Sequence, residues 1–478
     1  MRTRYPVALL SLLSLLSLAG MAMADDWSQF RGPNASGVSA NASLPVEFGP
    51  DKNVIWKTPL PPGHSSPVLT QDRIFVTAFN GEKLLVIALD RASGKKLWER
   101  EIPRPRRQEL HKSNSPASPS VVTDGRNIFA FFTDYGLLSW TTEGKERWQL
   151  PLGPFNNPFG MGSSPVLAGN LVLLNCDSES ASFFLAVDKN TGKVKWRVDR
   201  AAFTRGFSTP VLYKPARGPL QVLVAGSLRL VAYDVATGKE IWWVRGLTWQ
   251  IKPTPVLGPE MLYVLGWAGG ADPGQQEDVG TLSEALPKYD ADRDGKISRD
   301  EAPTPAIKKD WIEYDLDRDG FLGPRDWDAY RAKRSVVNGV LAFHLDSQRE
   351  LRGDMTASLK WRYEKSLPNT PSPLLYQDVV YLMKEGGILT SLDAGAGTLL
   401  KQGRLRNALG AYYASPVAAS GRIYTISEEG RATVIKAGAE WEILAVNDLG
   451  DACHATPAIM DNRLYIRTHG MLYCFGNS

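Results

Sequence analysis

Ser66-Pro67-Val68 opens a stretch that runs through apolar segments at residues 73–78 and 84–89, turns at Ser93-Gly94-Lys95 and ends on Leu97-Trp98. Apolar and β-branched runs punctuated by glycine turns predict short antiparallel strands, four to a unit. Thr191-Gly192-Lys193 with Trp196, and Thr237-Gly238-Lys239 with Trp242, repeat the ending. The opening recurs as Ser118-Pro119-Ser120, Ser164-Pro165-Val166, Thr209-Pro210-Val211, Thr254-Pro255-Val256, Ser372-Pro373-Leu374, Ser415-Pro416-Val417 and Thr456-Pro457-Ala458.

The prolines of these phrases stand 52, 46, 45, 45, 118, 43 and 41 residues apart. All but one interval suits a propeller blade, and the long one holds roughly 70 extra residues. Each four-stranded sheet covers its faces with its neighbours, and closure of the ring protects the edges. Only two strand-like runs follow Pro457, whereas Trp56 precedes the first phrase, so residues 53–58 are expected to supply the last blade's fourth strand. Trp56, Trp98, Trp148, Trp196, Trp242, Trp361 and Trp441, with Leu400 in the sixth unit, recur on outer strands and read as packing between blades.

The long interval contains Asp290-Ala291-Asp292-Arg293-Asp294-Gly295-Lys296-Ile297-Ser298-Arg299-Asp300-Glu301. Carboxylates at loop positions 1, 3 and 5 converge because the glycine at 6 permits a sharp bend; Lys296 offers its carbonyl, Ser298 binds directly or through water, and Glu301 closes the set. A second loop runs through Asp315, Asp317, Asp319, Gly320 and the carbonyl of Phe321, with Asp326 in place of the usual glutamate at position 12. Aspartate is shorter, so weaker calcium binding is expected there. Ile297 and Leu322 both fall at position 8, where paired loops exchange a β-bridge. Pro303 and Pro305 shorten the first exiting helix, which favours a structural or lid role. The fold class expected is therefore all-β, an eight-bladed β-propeller with a small α-helical EF-hand insertion in blade five. Its parts are a signal peptide at 1–24, blades one to four and the start of blade five at 25–267, the EF-hand pair at 268–336 and the remaining blades at 337–478.

Ala88-Leu89-Asp90, Ser93-Gly94-Lys95 and Trp98, with the copies at residues 188–196 and 232–242, resemble the tryptophan-docking repeat of the pyrroloquinoline quinone (PQQ)-like propellers. That superfamily includes quinoprotein alcohol dehydrogenases and an outer-membrane assembly lipoprotein of the same fold. Trp27-Ser28-Gln29-Phe30-Arg31-Gly32-Pro33 also resembles the start of exported bacterial members. The resemblance spans residues 27–475 apart from the insertion and implies the fold; function does not follow from fold.

Arg2 and Arg4 precede the apolar residues 7–18, and Ala22-Met23-Ala24 has the small residues a signal peptidase reads, so cleavage before Asp25 and a periplasmic or extracellular location are expected. Losing the two arginines lowers the formal charge from +4 to +2, too small a surplus to suggest a nucleic-acid or acidic-membrane partner. No later apolar run is long enough to span a bilayer, and a monomer is expected. Cys176, Cys453 and Cys474 are far apart and odd in number, which excludes a cysteine-stapled scaffold.

Up-and-down strand direction places the insertion on the face where the Ser/Thr-Pro approaches converge. Those approaches carry His64, His111, Asn114, Asn157, Arg205, Trp249, Lys252, Asn369, Tyr412, Tyr413 and His454, with Asp177 and Glu179 in a neighbouring loop. They form a candidate face for an unknown protein, small molecule or polymer. The reading adopted is a calcium-binding, non-catalytic recognition or assembly module. The alternative is a PQQ-dependent dehydrogenase, but no two cysteines adjoin and no acidic residue matches that family's catalytic base, so PQQ is not expected. A third reading, hydrolase or lyase action on an extracellular polymer, rests on His64, His111 and His454 alone.

Overall fold

The computed structural model describes residues 27–40, 42–108, 110–179, 181–346 and 349–477, and the expected signal peptide lies outside them. Eight antiparallel sheets stand in a ring. Blade one is Val68–Leu69, Arg73–Asn80, Lys83–Asp90 and Lys96–Pro103, in order from inner to outer strand. Blades two, three and four repeat this order up to the outer strand Glu240–Arg245, blade five begins at Val256–Leu257, and blades six and seven begin at Leu374–Tyr376 and Val417–Ala419. In blade eight the inner three strands come from Ala458–Met460, Arg463–Arg467 and Met471–Gly476, and the outer one is Val54–Pro59. The expected closure by an N-terminal strand is met.

A chemical unit repeats at each blade boundary. The Gly-Lys turn glycine adopts positive φ and leaves a flat space that the preceding blade's tryptophan fills: a Cβ on Gly144, at φ +83°, would lie 2.8 Å from the Trp98 ring, and one on Gly192 would lie 2.7 Å from Trp148. The indole N–H then donates to a carbonyl of that next blade, Trp98 to Thr142 at 2.9 Å and Trp148 to Lys189 at 3.0 Å. Three boundaries, four to five, six to seven and seven to eight, depart from this rule. The link at 345–358 replaces the tight turn of blade five, so Trp242 donates within its own blade to Gln221 Oε1 at 2.7 Å, and Gly353–Asp354 of the link pairs in parallel with Trp242–Trp243. Trp441 packs backwards onto Gly403 of blade six.

A second repeat runs round the inside. The Ser66 N–H donates to Ser120 Oγ, Ser120 to Ser164, Ser164 to Thr209, Thr254 to Ser372, Ser372 to Ser415, Ser415 to Thr456, and Thr456 back to Ser66, all at 2.9–3.1 Å. Seven inner strands thus start with a backbone N–H satisfied by a neighbour's hydroxyl, as buried donors require. The belt identifies Ser120 as the blade-two counterpart of Ser66, although the Ser-Pro phrase there stands two residues earlier. The hydroxyl, and not the proline, is what the ring repeats.

Residues 27–39 cross the axis of the ring. The carbonyls of Trp27 and Ser28 accept from Leu69 and Thr123 at the far ends of the first two inner strands. Arg31 Nη2 donates to the Pro373 carbonyl at 2.9 Å, the Asn34 amide exchanges two bonds with the Leu212 backbone, and Val38–Ser39 pairs with Ala418–Ala419. One short segment therefore ties blades one, two, four, six and seven together and closes one end of the channel.

Between Met261–Gly266 and Gly339–His344 lies the insertion, with helices α1 (Leu282–Tyr289), α2 (Pro305–Lys309) and α3 (Pro324–Ser335). Thr281 and Glu284 form a reciprocal cap on α1. Ala285, Ile297, Ile307, Trp311, Leu322, Trp327 and Tyr330 give it a core of its own. Its neck is held by the Asn338 amide, which bonds both the N–H and the carbonyl of Ala268 at 2.7 and 3.0 Å.

Candidate functional site

With one end closed, the channel becomes a cup of about 400 Å³. Its wall follows a positional rule: the residue two places before each belt hydroxyl faces the cavity. In blade order these are His64, Ser118, Gly162, Phe207, Lys252, Thr370, Tyr413 and His454. Belt hydroxyls form the next tier, and Phe30 of the crossing segment also lines the cavity. His111, Asn114, Phe159, Gln250, Trp267 and Asn369 complete most of the rest.

Of the residues expected on this face, His64, His111, Asn114, Lys252, Asn369, Tyr413 and His454 line the cup. The other four lie behind it. Asn157 is buried, with its side chain against Met161. Arg205 is wholly buried in ion pairs, Tyr412 donates its buried hydroxyl to the Ala408 carbonyl at 2.6 Å, and the Trp249 carbonyl accepts from Ser227. Asp177 is locked in a bidentate pair with Arg200 at 2.7 and 2.9 Å, and Glu179 accepts from Arg205. Phe30, Phe159, Phe207, Gln250, Trp267 and Thr370 were not expected. The minus-two rule finds Phe207 and Thr370, and Phe30 stands inside the quoted N-terminal motif.

The two sides of the cup differ. On one, Tyr413, His454 and His64 from three successive blades stack, with centroids 4.7 Å apart at 14° and 4.0 Å apart at 5°. Burial pushes His64 down to about 3 and His454 to about 4, so both rings are neutral at pH 7. Across the ring, in the fifth blade against the first, Lys252 Nζ donates to Asn369 Oδ1 at 2.8 Å and Gln250 Oε1 at 3.2 Å and sits 5.6 Å from the Trp267 ring. Burial, with Arg205 nearby, pushes this ammonium down to about 8. The described lining contains no carboxylate side chain.

The insertion meets the rim beside blade three. Arg325 Nη2 donates to the carbonyls of Glu179 and Ala201, both at 3.1 Å, and Lys333 Nζ to the Glu313 carbonyl at 2.7 Å. In its first loop, ligand oxygens of Asp290, Asp292 and Asp294 lie within 4.8 Å of one another, and so do those of Asp315, Asp317 and Asp319 in the second. The backbones match. Gly295 and Gly320 take φ +83° and +92°, and the N–H of each donates to the first aspartate of its loop at 3.0 Å. Glu301 accepts from the N–H of Ala291 and Ser298 at 2.7 and 2.9 Å; Asp326 accepts from Leu316 and Gly323, both at 3.0 Å. Lys296 and Phe321 occupy equivalent places, Ser298 bridges Phe321, and the Leu322 N–H donates to the Ile297 carbonyl at 2.8 Å.

The three cysteines are buried and free, and among the described residues no helix is long and apolar enough to cross a membrane. No curated protein matches the chain. Among solved structures, BamB from Moraxella catarrhalis aligns with a TM-score of 0.55 at 15% identity, over 88% of this chain and 98% of that one, which shows a shared fold. Quinohemoprotein alcohol dehydrogenase from Comamonas testosteroni aligns with a TM-score of 0.43 at 12% identity, over 95% and 81%, too low to bear on activity. The family model described as outer membrane protein assembly factor BamB matches residues 49–158, 141–244 and 337–476. Those matches take in seven of the eight blades nearly whole and most of the chain, and the protein belongs to that family.

Proposed function

We propose that this is an exported, calcium-binding propeller that acts by recognition and assembly and not by catalysis. The calcium reading is carried by one observation: in both loops of the insertion three aspartates converge on a common point with the same backbone turn. Each loop also places a fourth carboxylate and a backbone carbonyl where an EF-hand draws its remaining ligands. Asp290, Asp292, Asp294, Lys296, Ser298 and Glu301 would hold one ion, and Asp315, Asp317, Asp319, Phe321 and Asp326 a second, weaker one. The ions would brace the module, whose small core clusters seven buried apolar side chains among the described residues.

A recognition role is supported by the family and by the cup's chemistry. The family model is described as an outer membrane protein assembly factor, which makes a protein partner the natural first candidate for the rim face. Neutral, stacked histidines and a lysine bound to amides offer contacts to a ligand in a cavity whose described lining holds no carboxylate. Calorimetry with calcium tests the first part, with two binding steps expected and the absence of any step fatal to it. Mixing the protein with PQQ and calcium tests the second. No change in cofactor absorbance and no dye-linked alcohol oxidation are expected, and saturable uptake with turnover would reverse the reading.

A further inference from the structure

We infer that the cup binds a small, flat organic carboxylate, its acid group at Lys252 and its body against the Tyr413–His454–His64 stack across the cavity. The inference deepens the recognition reading and rests on it. Lys252 is an ammonium surrounded by amides and rings: its acceptors are the neutral oxygens of Asn369 and Gln250, and its neighbour Trp267 is aromatic. Arg31, beneath the cup beside Phe30, is fully buried; among the described residues its side chain bonds the Pro373 carbonyl through Nη2, and its Nε and Nη1 find no partner. Burial pushes it down to about 9. Neither cation faces a carboxylate, and the described lining offers none. One ammonium in the wall and one guanidinium beneath the floor, with no carboxylate among the described lining residues, favour an incoming anion over a cation.

The form of the anion follows from the donors. A phosphate needs several converging donors, usually Arg forks or a row of backbone N–H groups, whereas a carboxylate is served by one ammonium and a few neutral groups. Thr254 and Thr370, on either side of Lys252 in the wall, and Asn369 supply the latter. The body must be flat and largely apolar, because Phe30, Phe159, Phe207, Trp267 and the three-ring stack surround the remaining space. A cavity of about 400 Å³ admits one or two fused rings.

The test compares 2-naphthoate with its neutral isostere 2-naphthamide by saturation-transfer NMR and competition on the full-length calcium-loaded protein. The acid is expected to bind about tenfold more tightly, the difference made by a charge-assisted hydrogen bond. Asn369→Asp, which sets a carboxylate against Lys252 without changing side-chain size, should erase that preference, and Lys252→Met should do the same. Equal affinity for acid and amide, no saturable binding of the acid, or a preference that survives both substitutions would overturn the assignment. Calcium titration of the same samples separates the two levels. Normal calcium binding with no acid preference removes the carboxylate inference alone, whereas loss of calcium binding in the unaltered protein removes the reading beneath it.

Discussion

Arg205 Nη1 stands 3.0 Å from a Glu313 carboxylate oxygen of the insertion while its Nε bonds Glu179 of blade three, and its guanidinium lies 5.6 Å over the Phe159 ring in the cup wall. One side chain therefore touches the insertion, the propeller and the cavity. Glu313 stands two residues before Asp315, so this buried cation, together with Arg325, fastens the second acidic loop to blade three.

Arg205→Ala should leave Glu179 buried and uncompensated, at a cost of about 3–5 kcal/mol in equilibrium urea unfolding. Glu313→Gln, at a partly exposed partner, should cost under about 1 kcal/mol. Equal effects for the two variants would show that the clamp to the insertion, and not burial of Glu179, dominates. Limited proteolysis should cut the insertion sooner in both.

Asp290→Ala combined with Glu301→Ala should remove the tighter calcium step in calorimetry and leave the β-sheet circular dichroism of the propeller unchanged. The insertion has a separate core, so its loss of metal need not spread. Unaltered calcium stoichiometry in the double variant would contradict the ligand assignment.

Gly144 and Gly125 share nearly the same backbone, φ +83° and +82°, but a Cβ meets the Trp98 ring at the first and open space at the second. Gly125→Ala should cost about 1 kcal/mol for the left-handed conformation alone. Gly144→Ala should cost about 2 kcal/mol more, because the ring must leave its seat. Thermal unfolding of the pair measures the docking contact directly, and equal losses would deny it.

His64 and His454 are depressed from 6.5 to about 3 and about 4, so the unfolded chain takes up protons below about pH 6.5 that the folded chain refuses. Their contribution to stability is complete above that pH and is lost as pH falls towards 4. Arg467 and His469 face the pair and oppose its charging, while Glu428 Oε1, 3.5 Å from His454, favours it less than burial opposes it. His64→Gln should flatten the acid limb of a urea-midpoint profile between pH 6.5 and 4; an unchanged slope would place the acid sensitivity elsewhere.

The ring was legible in the sequence because most blades repeat the same two contacts, tryptophan on turn glycine and hydroxyl on backbone N–H, and a repeated contact leaves a repeated letter. Blade two shows the limit of that reading: Ser118-Pro119 copies the motif while Ser120 makes the bond. The cup was only half legible. Polarity in the approach loops picked out Lys252 and His454, but it also picked out Arg205 and Tyr412, whose polar ends are consumed by Glu179 and Ala408. Phe159, Phe207 and Trp267 were passed over because apolar rings read as core. Which way a side chain faces depends on its offset from the belt, and that offset becomes usable only once the true belt residue of each blade is known.

The strand that completes blade eight has a consequence in time. Val54–Pro59 is synthesised before the other outer strands, yet its partner Met471–Gly476 follows every other blade strand in the chain. A nascent chain must therefore carry an unmatched edge until the other blades have been made, and the closing pairing joins residues very far apart in sequence, a slow kind of contact to form. Until it forms, blades one and seven each expose a flank to whatever else is nearby. Closure of blade eight is therefore expected to be a late step that locks the ring.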